Sequence, residues 1–106
     1  MASIGTIAIT GKSGTAYQFN IYPRSAKFAA VGVAYVMAKQ NGNNYILIYI
    51  GQTGDASQRP FNHHRKDCFD RHGVDHVLIR AENDEKTRLT VETDLRQTYD
   101  PPCNRQ

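Results

Sequence analysis

Apolar and polar side chains alternate through Tyr17–Tyr22, where Tyr17, Phe19 and Ile21 are separated by Gln18 and Asn20. A period of two puts the apolar set on one side of an extended chain, which predicts a half-buried strand. Thr6-Ile7-Ala8-Ile9-Thr10 predicts its partner, and Gly11-Lys12-Ser13-Gly14 between them supplies glycines that accept a turn's positive φ. Gly32–Ala38 and Tyr45–Gly51 predict a second hairpin through Asn41-Gly42-Asn43-Asn44, since Asn-Gly is a strong two-residue turn signal. The run Tyr45-Ile46-Leu47-Ile48-Tyr49-Ile50 is apolar at successive positions and predicts a central strand covered on both faces. Whether Tyr35 and Tyr49 share a face depends on the hairpin register, where a slip of one residue reverses every side chain.

The period then changes. Residues Ser57 to Arg71 predict a helix with Ser57 as N-cap, Pro60 in the first turn where a missing N–H costs nothing, and Gly73 beyond its end. His76–Arg80 predicts another strand. A second helix is expected from Glu85 to Thr98, capped by Asn83 or Asp84 and stopped before Pro101-Pro102. The order β-β-β-β-α-β-α implies the α+β class: a small antiparallel β-sheet flanked by helices, with an additional N-terminal β-hairpin. Residues 1–31 are read as that hairpin extension and 32–106 as the core, within one compact domain.

Composition narrows the setting more than the function. The 106 residues carry a formal charge of +3 and a pI near 9.0, which permits a polyanionic partner without demanding one. Two cysteines are too few for a disulfide scaffold, so Cys68 and Cys103 are expected as reduced thiols in a cytoplasmic protein. No apolar run approaches the ~20 residues that span a bilayer, and Met1-Ala2-Ser3-Ile4-Gly5 lacks the pattern of a secretory signal, so no membrane role is expected.

Three features invite chemistry, and each has a plainer explanation beside it. Leu89, Glu92 and Leu95 recur every three residues, placing a carboxylate on an apolar helical stripe; Glu92 at the stripe's edge, paired with Arg88 or Arg96, is the plain alternative. Arg59, His63 and Lys66 fall on one face of the first helix, a row suited to phosphates or simply to water. Tyr35 and Tyr49 lie within strands, where tyrosines commonly serve the core. A zinc set of Cys68, His72 and His76 repeats every four residues, but Gly73 interrupts the helix and no fourth ligand has suitable spacing.

Taken together these residues resemble the GIY-YIG nuclease family, which includes homing endonucleases, some restriction enzymes and a nucleotide-excision-repair nuclease subunit. The resemblance runs from about residue 32 to 104. It rests on Val33-Ala34-Tyr35, Tyr49-Ile50-Gly51, Arg59 eight residues later, His63, and Glu92-Thr93-Asp94-Leu95 followed by Tyr99-Asp100-Pro101-Pro102-Cys103-Asn104. It departs from the family at Ala34, where isoleucine or valine is usual, and at Gln52, where several members carry lysine.

The resemblance implies a metal-dependent endonuclease hydrolysing phosphodiester bonds in nucleic acid, with DNA favoured over RNA. Glu92 would hold a single Mg²⁺ or Mn²⁺, and Arg59 would clamp the scissile phosphate. Tyr35 would act as general base, with Tyr49 as alternative or partner, and His63 would orient water or phosphate. Arg59, His63, Lys66 and Gln52 would contact nucleic acid, while Gly51 and Asn104 support the site from behind. A homodimer or a protein partner would supply specificity. The alternative is a non-catalytic nucleic-acid-binding or protein-interaction module that retains the fold.

Overall fold

The computed structural model describes residues 3–58 and 65–105. Strands β1 (Gly5–Thr10) and β2 (Ala16–Pro23) pair antiparallel, with Ile9 opposite Tyr17 and Ile7 opposite Phe19. Strands β3 (Val33–Asn41) and β4 (Asn44–Thr53) turn through Gly42-Asn43, and Gly42 takes φ +63°. Helix α1 (Lys66–Arg71) stops before Gly73, whose φ is +72°. Strand β5 (His76–Ala81) and helix α2 (Glu85–Arg96) follow. Asp84 caps α2, its carboxylate accepting from the Thr87 N–H at 3.0 Å and the Thr87 hydroxyl at 2.6 Å, which satisfies a donor the helix leaves open. Residues Ala56–Gln58 and Pro102–Arg105 form 3-10 turns.

The fold is α+β, with five antiparallel strands in the order β1-β2-β5-β3-β4. Strand β5, fifth in sequence, enters between the two hairpins. Through its pairing with β2, the N-terminal hairpin becomes part of the same sheet. One face packs Phe19, Val36, Ile50 and Leu78 against Val91 and Leu95 of α2. The other packs Tyr35, Met37, Val77 and Ile79 against Phe69 of α1 and the two cysteines. Among the described residues, no helix is long and apolar enough to cross a membrane.

Four expectations need correction. Strand β4 lies at the sheet's edge rather than its centre, and Ile46 is 45% exposed. An unbroken apolar run reports cover on both faces, not position in the strand order; it is β3, flanked by β5 and β4, whose residues Val33–Ala38 are all buried. Ser57 sits inside the first 3-10 turn, where its N–H and hydroxyl donate to Asp55, so it does not cap α1; the residue before α1 is Arg65, with no side-chain cap. Leu89 is exposed, because the buried stripe of α2 runs through Arg88, Val91 and Leu95 and leaves Glu92 half-buried on its flank. Finally, Cys68 and Cys103 are not free thiols. They form a disulfide with Cα atoms 5.9 Å apart, because the fold brings α1 and the C-terminal turn into one core layer despite 35 residues of separation.

Candidate functional site

The β3–β4 register sets Tyr35 opposite Gly51 and Met37 opposite Tyr49, making the two tyrosines diagonal neighbours on one face. A register shift at Met37/Ala38 leaves Ile48 without a partner across the pair, and Ile48 and Tyr49 pack on the same side. The ring centroids of Tyr35 and Tyr49 are 6.1 Å apart, and the Phe69 ring closes on Tyr49 at 5.6 Å. Gly51 makes this approach possible. A Cβ there would stand 2.8 Å from Cζ and Oη of Tyr35 and 2.8 Å from Cε2 of Tyr49.

The polar surroundings come from three other elements. The Arg65 guanidinium lies 5.5 Å from the Tyr49 ring centroid, and its Nη1 donates to the Cys103 carbonyl at 2.8 Å. Asn104 accepts from the Ile50 N–H at 2.8 Å and donates to the Ile50 carbonyl at 3.0 Å. Its side-chain amide thus pairs with the backbone of the edge strand as a neighbouring strand would, bracing β4 between Tyr49 and Gly51. Glu92 comes from α2, which packs on the opposite face of the sheet from the two tyrosines.

Electrostatics connect the two sides. Burial, the neighbouring Tyr49 and the Glu92 charge all push the Tyr35 phenol well above the usual tyrosine range, while Arg65 pulls the other way. Burial also raises the Glu92 carboxyl, with Arg96 opposing. Tyr35 is therefore held as a hydrogen-bond donor. The general-base role implied by the resemblance requires additional positive charge.

The remaining expected residues fall in different places. The Gln52 amide oxygen accepts from Nε of the buried Arg88 at 3.0 Å, and Arg88 Nη1 also donates to the carbonyls of Glu82 and Asn83 at 3.0 and 2.9 Å. Gln52 thus faces α2, on the side of the sheet away from the tyrosines. Lys66 pairs with Asp70 at 2.9 Å, and Asp70 also pairs with Arg24 at 2.7 Å. Arg59 and His63 lie outside the described residues.

Two participants were absent from the sequence reading. Arg65 stands four residues before the buried Phe69, and that spacing is the signal that would have found it. Asp94 is buried and accepts from the Ser13 N–H at 2.9 Å, the Ser13 hydroxyl at 2.6 Å and the Tyr17 hydroxyl at 2.7 Å, tying α2 to the first hairpin. An open groove of about 540 Å³ borders this tie, lined by Ser13, Tyr17, Lys86, Leu89, Thr93 and Gln97, away from the tyrosine pair.

Two kinds of metal donor are present. Glu92 offers one hard oxygen ligand. Cys68, His72 and Cys103 bring their donor atoms within 4.8 Å of one another. It differs from the Cys68, His72 and His76 spacing set aside above: His76 contacts Asp75 at 2.7 Å and packs edge-on to Tyr45. Compared with known protein families, curated proteins and solved structures, the chain matches none of them.

Proposed function

We propose that this chain is a metal-dependent endonuclease of the GIY-YIG type acting on nucleic acid, DNA in preference to RNA. The observation that carries the reading is the meeting of Tyr35 and Tyr49 over Gly51, with Arg65 above one ring and the Glu92 charge felt at the other. A core tyrosine pair needs neither an arginine nor a carboxylate beside it; phosphodiester hydrolysis uses both.

In this reading Glu92 holds one Mg²⁺ or Mn²⁺. Among the described residues its carboxylate makes no hydrogen bond or ion pair, and a lone carboxylate suits an ion that keeps most of its waters. An ion held there would supply positive charge for the phosphorane-like state and offset the Glu92 contribution that, after burial and Tyr49, keeps the Tyr35 phenol protonated. Arg65 favours the phenolate of Tyr35, and Arg59 and His63, outside the described residues, are assigned the phosphate clamp and the orientation of water or phosphate. Asn104 fixes the strand that presents Tyr49 and Gly51. Lys66 adds a backbone contact, and Gln52 acts through Arg88. A second copy or a protein partner gives it specificity.

The test incubates the protein with DNA and RNA duplexes, flaps and single strands in Mg²⁺, Mn²⁺ or EDTA. Cleavage is expected with either ion and none in EDTA. Glu92→Gln should abolish cleavage and leave thermal stability equal or higher, since the neutral amide removes a half-buried charge that the fold disfavours. Cleavage by Glu92→Gln at the parent's rate would refute the assignment. The raised Tyr35 phenol favours a second reading, a non-catalytic binding module. Binding without cleavage under every ion would establish it.

A further inference from the structure

We infer that the reduced chain binds one thiophilic divalent cation, Zn²⁺ by preference, through Cys68, His72 and Cys103, at a site distinct from Glu92. The inference does not depend on the nuclease reading. His72 Nδ1 lies 3.7 Å from the Cys68 sulfur and 3.9 Å from the Cys103 sulfur. In a tetrahedral zinc site with Zn–S of about 2.3 Å and Zn–N of about 2.0–2.1 Å, the sulfur–nitrogen edge is about 3.5–3.6 Å. Two of the three edges are therefore already close to length. The third opens when the sulfurs rotate apart from their bond. Both cysteines are buried and His72 is partly exposed, so the donor set is walled on one side and reached from the other.

The chemistry balances with a dithiol reductant. The dithiol gives two electrons and two protons to the Cys68–Cys103 disulfide and becomes a disulfide itself. The cation then replaces the two thiol protons, which leave to solvent, and three protein ligands hold it with water in the fourth position. His72 must change tautomer. In the disulfide form Nδ1 is 3.0 Å from the Cys68 carbonyl, the geometry of an Nδ1–H donor, whereas a metal needs the Nδ1 lone pair.

Either bond staples the same two parts. Cys103 carries the carbonyl that holds Arg65, and the next residue is Asn104, which braces Ile50. In an oxidising setting the disulfide joins α1 to this turn; in a reducing one the ion takes over. One fold thereby keeps its C-terminal clasp in both conditions.

The test reduces the purified chain with a phosphine, removes it, and titrates with Co²⁺ as a spectroscopic probe and then Zn²⁺. One equivalent of Co²⁺ should produce thiolate-to-metal charge-transfer absorption that Zn²⁺ displaces, with sub-micromolar Zn²⁺ affinity. The air-oxidised chain should show neither. His72→Asn should weaken binding at least about tenfold, and Cys103→Ser should abolish the sulfur bands, with circular dichroism monitoring the fold. In the parent chain, one equivalent of Zn²⁺ should also protect both thiols from alkylation, which needs no variant to fold. Absence of binding by the reduced chain, equal binding by the oxidised chain, or unprotected thiols at one equivalent would each overturn the inference.

Discussion

Replacing Gly51 with alanine tests the central geometry with a single methyl group. The added Cβ would sit 2.8 Å from Tyr35 Cζ and Oη and 2.8 Å from Tyr49 Cε2, and Tyr35 is only 3% exposed, so its ring has little room to retreat. Overpacking a core of this kind costs about 1–3 kcal/mol. Gly51 is not in the positive-φ region, so alanine adds no backbone strain and recovers about 0.4–1 kcal/mol by restricting the unfolded chain. The balance is a loss of up to about 2.6 kcal/mol, centred near 1.3 kcal/mol, or a fall in Tm of roughly 5–10 °C at that centre for a domain near this size. Gly5→Ala is the control. No atom lies within 4 Å of its added Cβ, so its Tm should hold or rise slightly. Combining Gly51→Ala with Tyr35→Phe removes one of the clashing atoms, and the pair should be less damaging than the sum of the singles. Thermal denaturation followed by circular dichroism reads the parent and the four variants, Tyr35→Phe alone among them, and cleavage rate reads the site in parallel. A Gly51→Ala protein as stable and as active as its parent would show that the tyrosines do not meet over this residue.

Two of the groups with shifted pKa values make contributions to the pH dependence of stability that single substitutions can test. Asp94 is held below the usual carboxylate range by bonds from Ser13 and Tyr17; its contribution is complete above an unfolded pKa of about 4 and lost as pH falls through the lower folded value. Asp94→Asn should lower Tm at neutral pH and flatten the acid limb, and an unchanged acid limb would count against the tie to the first hairpin. Tyr35 behaves oppositely, since its folded pKa is raised; its contribution is complete below about pH 10 and lost as pH rises through the folded value. Tyr35→Phe should therefore flatten the alkaline limb, and a spectroscopic titration in which Tyr35 ionises with the exposed tyrosines would contradict its burial.

The legible part of this fold was its local periodicity. The alternation at Tyr17, Phe19 and Ile21, the Asn-Gly turn, Gly73 and the Asp84 cap all act within a few residues, and each stands where its chemistry requires. What could not be read depends on pairing across the chain. The apolar run in β4 looked central because burial of both faces leaves the same mark whether or not a second strand lies alongside. The common face of Tyr35 and Tyr49 awaited the register, which includes a shift at Met37/Ala38 with no glycine or proline beside it as a signal.

The site shows the same division. Glu92 stood out because three-residue spacing placed it on an apolar stripe, yet the buried stripe is displaced from Leu89 toward Arg88, a charged residue whose guanidinium is satisfied by Gln52 and two carbonyls. Hydropathy assigns arginine to the surface, so a buried arginine shifts the apparent face of its helix and moves a carboxylate from the stripe to its flank. That shift matters to mechanism: the half-buried carboxylate on the flank contributes to raising the Tyr35 phenol, whereas one at the stripe's centre would face Val91's neighbours in the core. Cys68 and Cys103 were hidden for the same reason as Arg65. Their meaning lies in a contact between α1 and the C-terminal turn, 35 positions apart, and the intervening chain carries no trace of it.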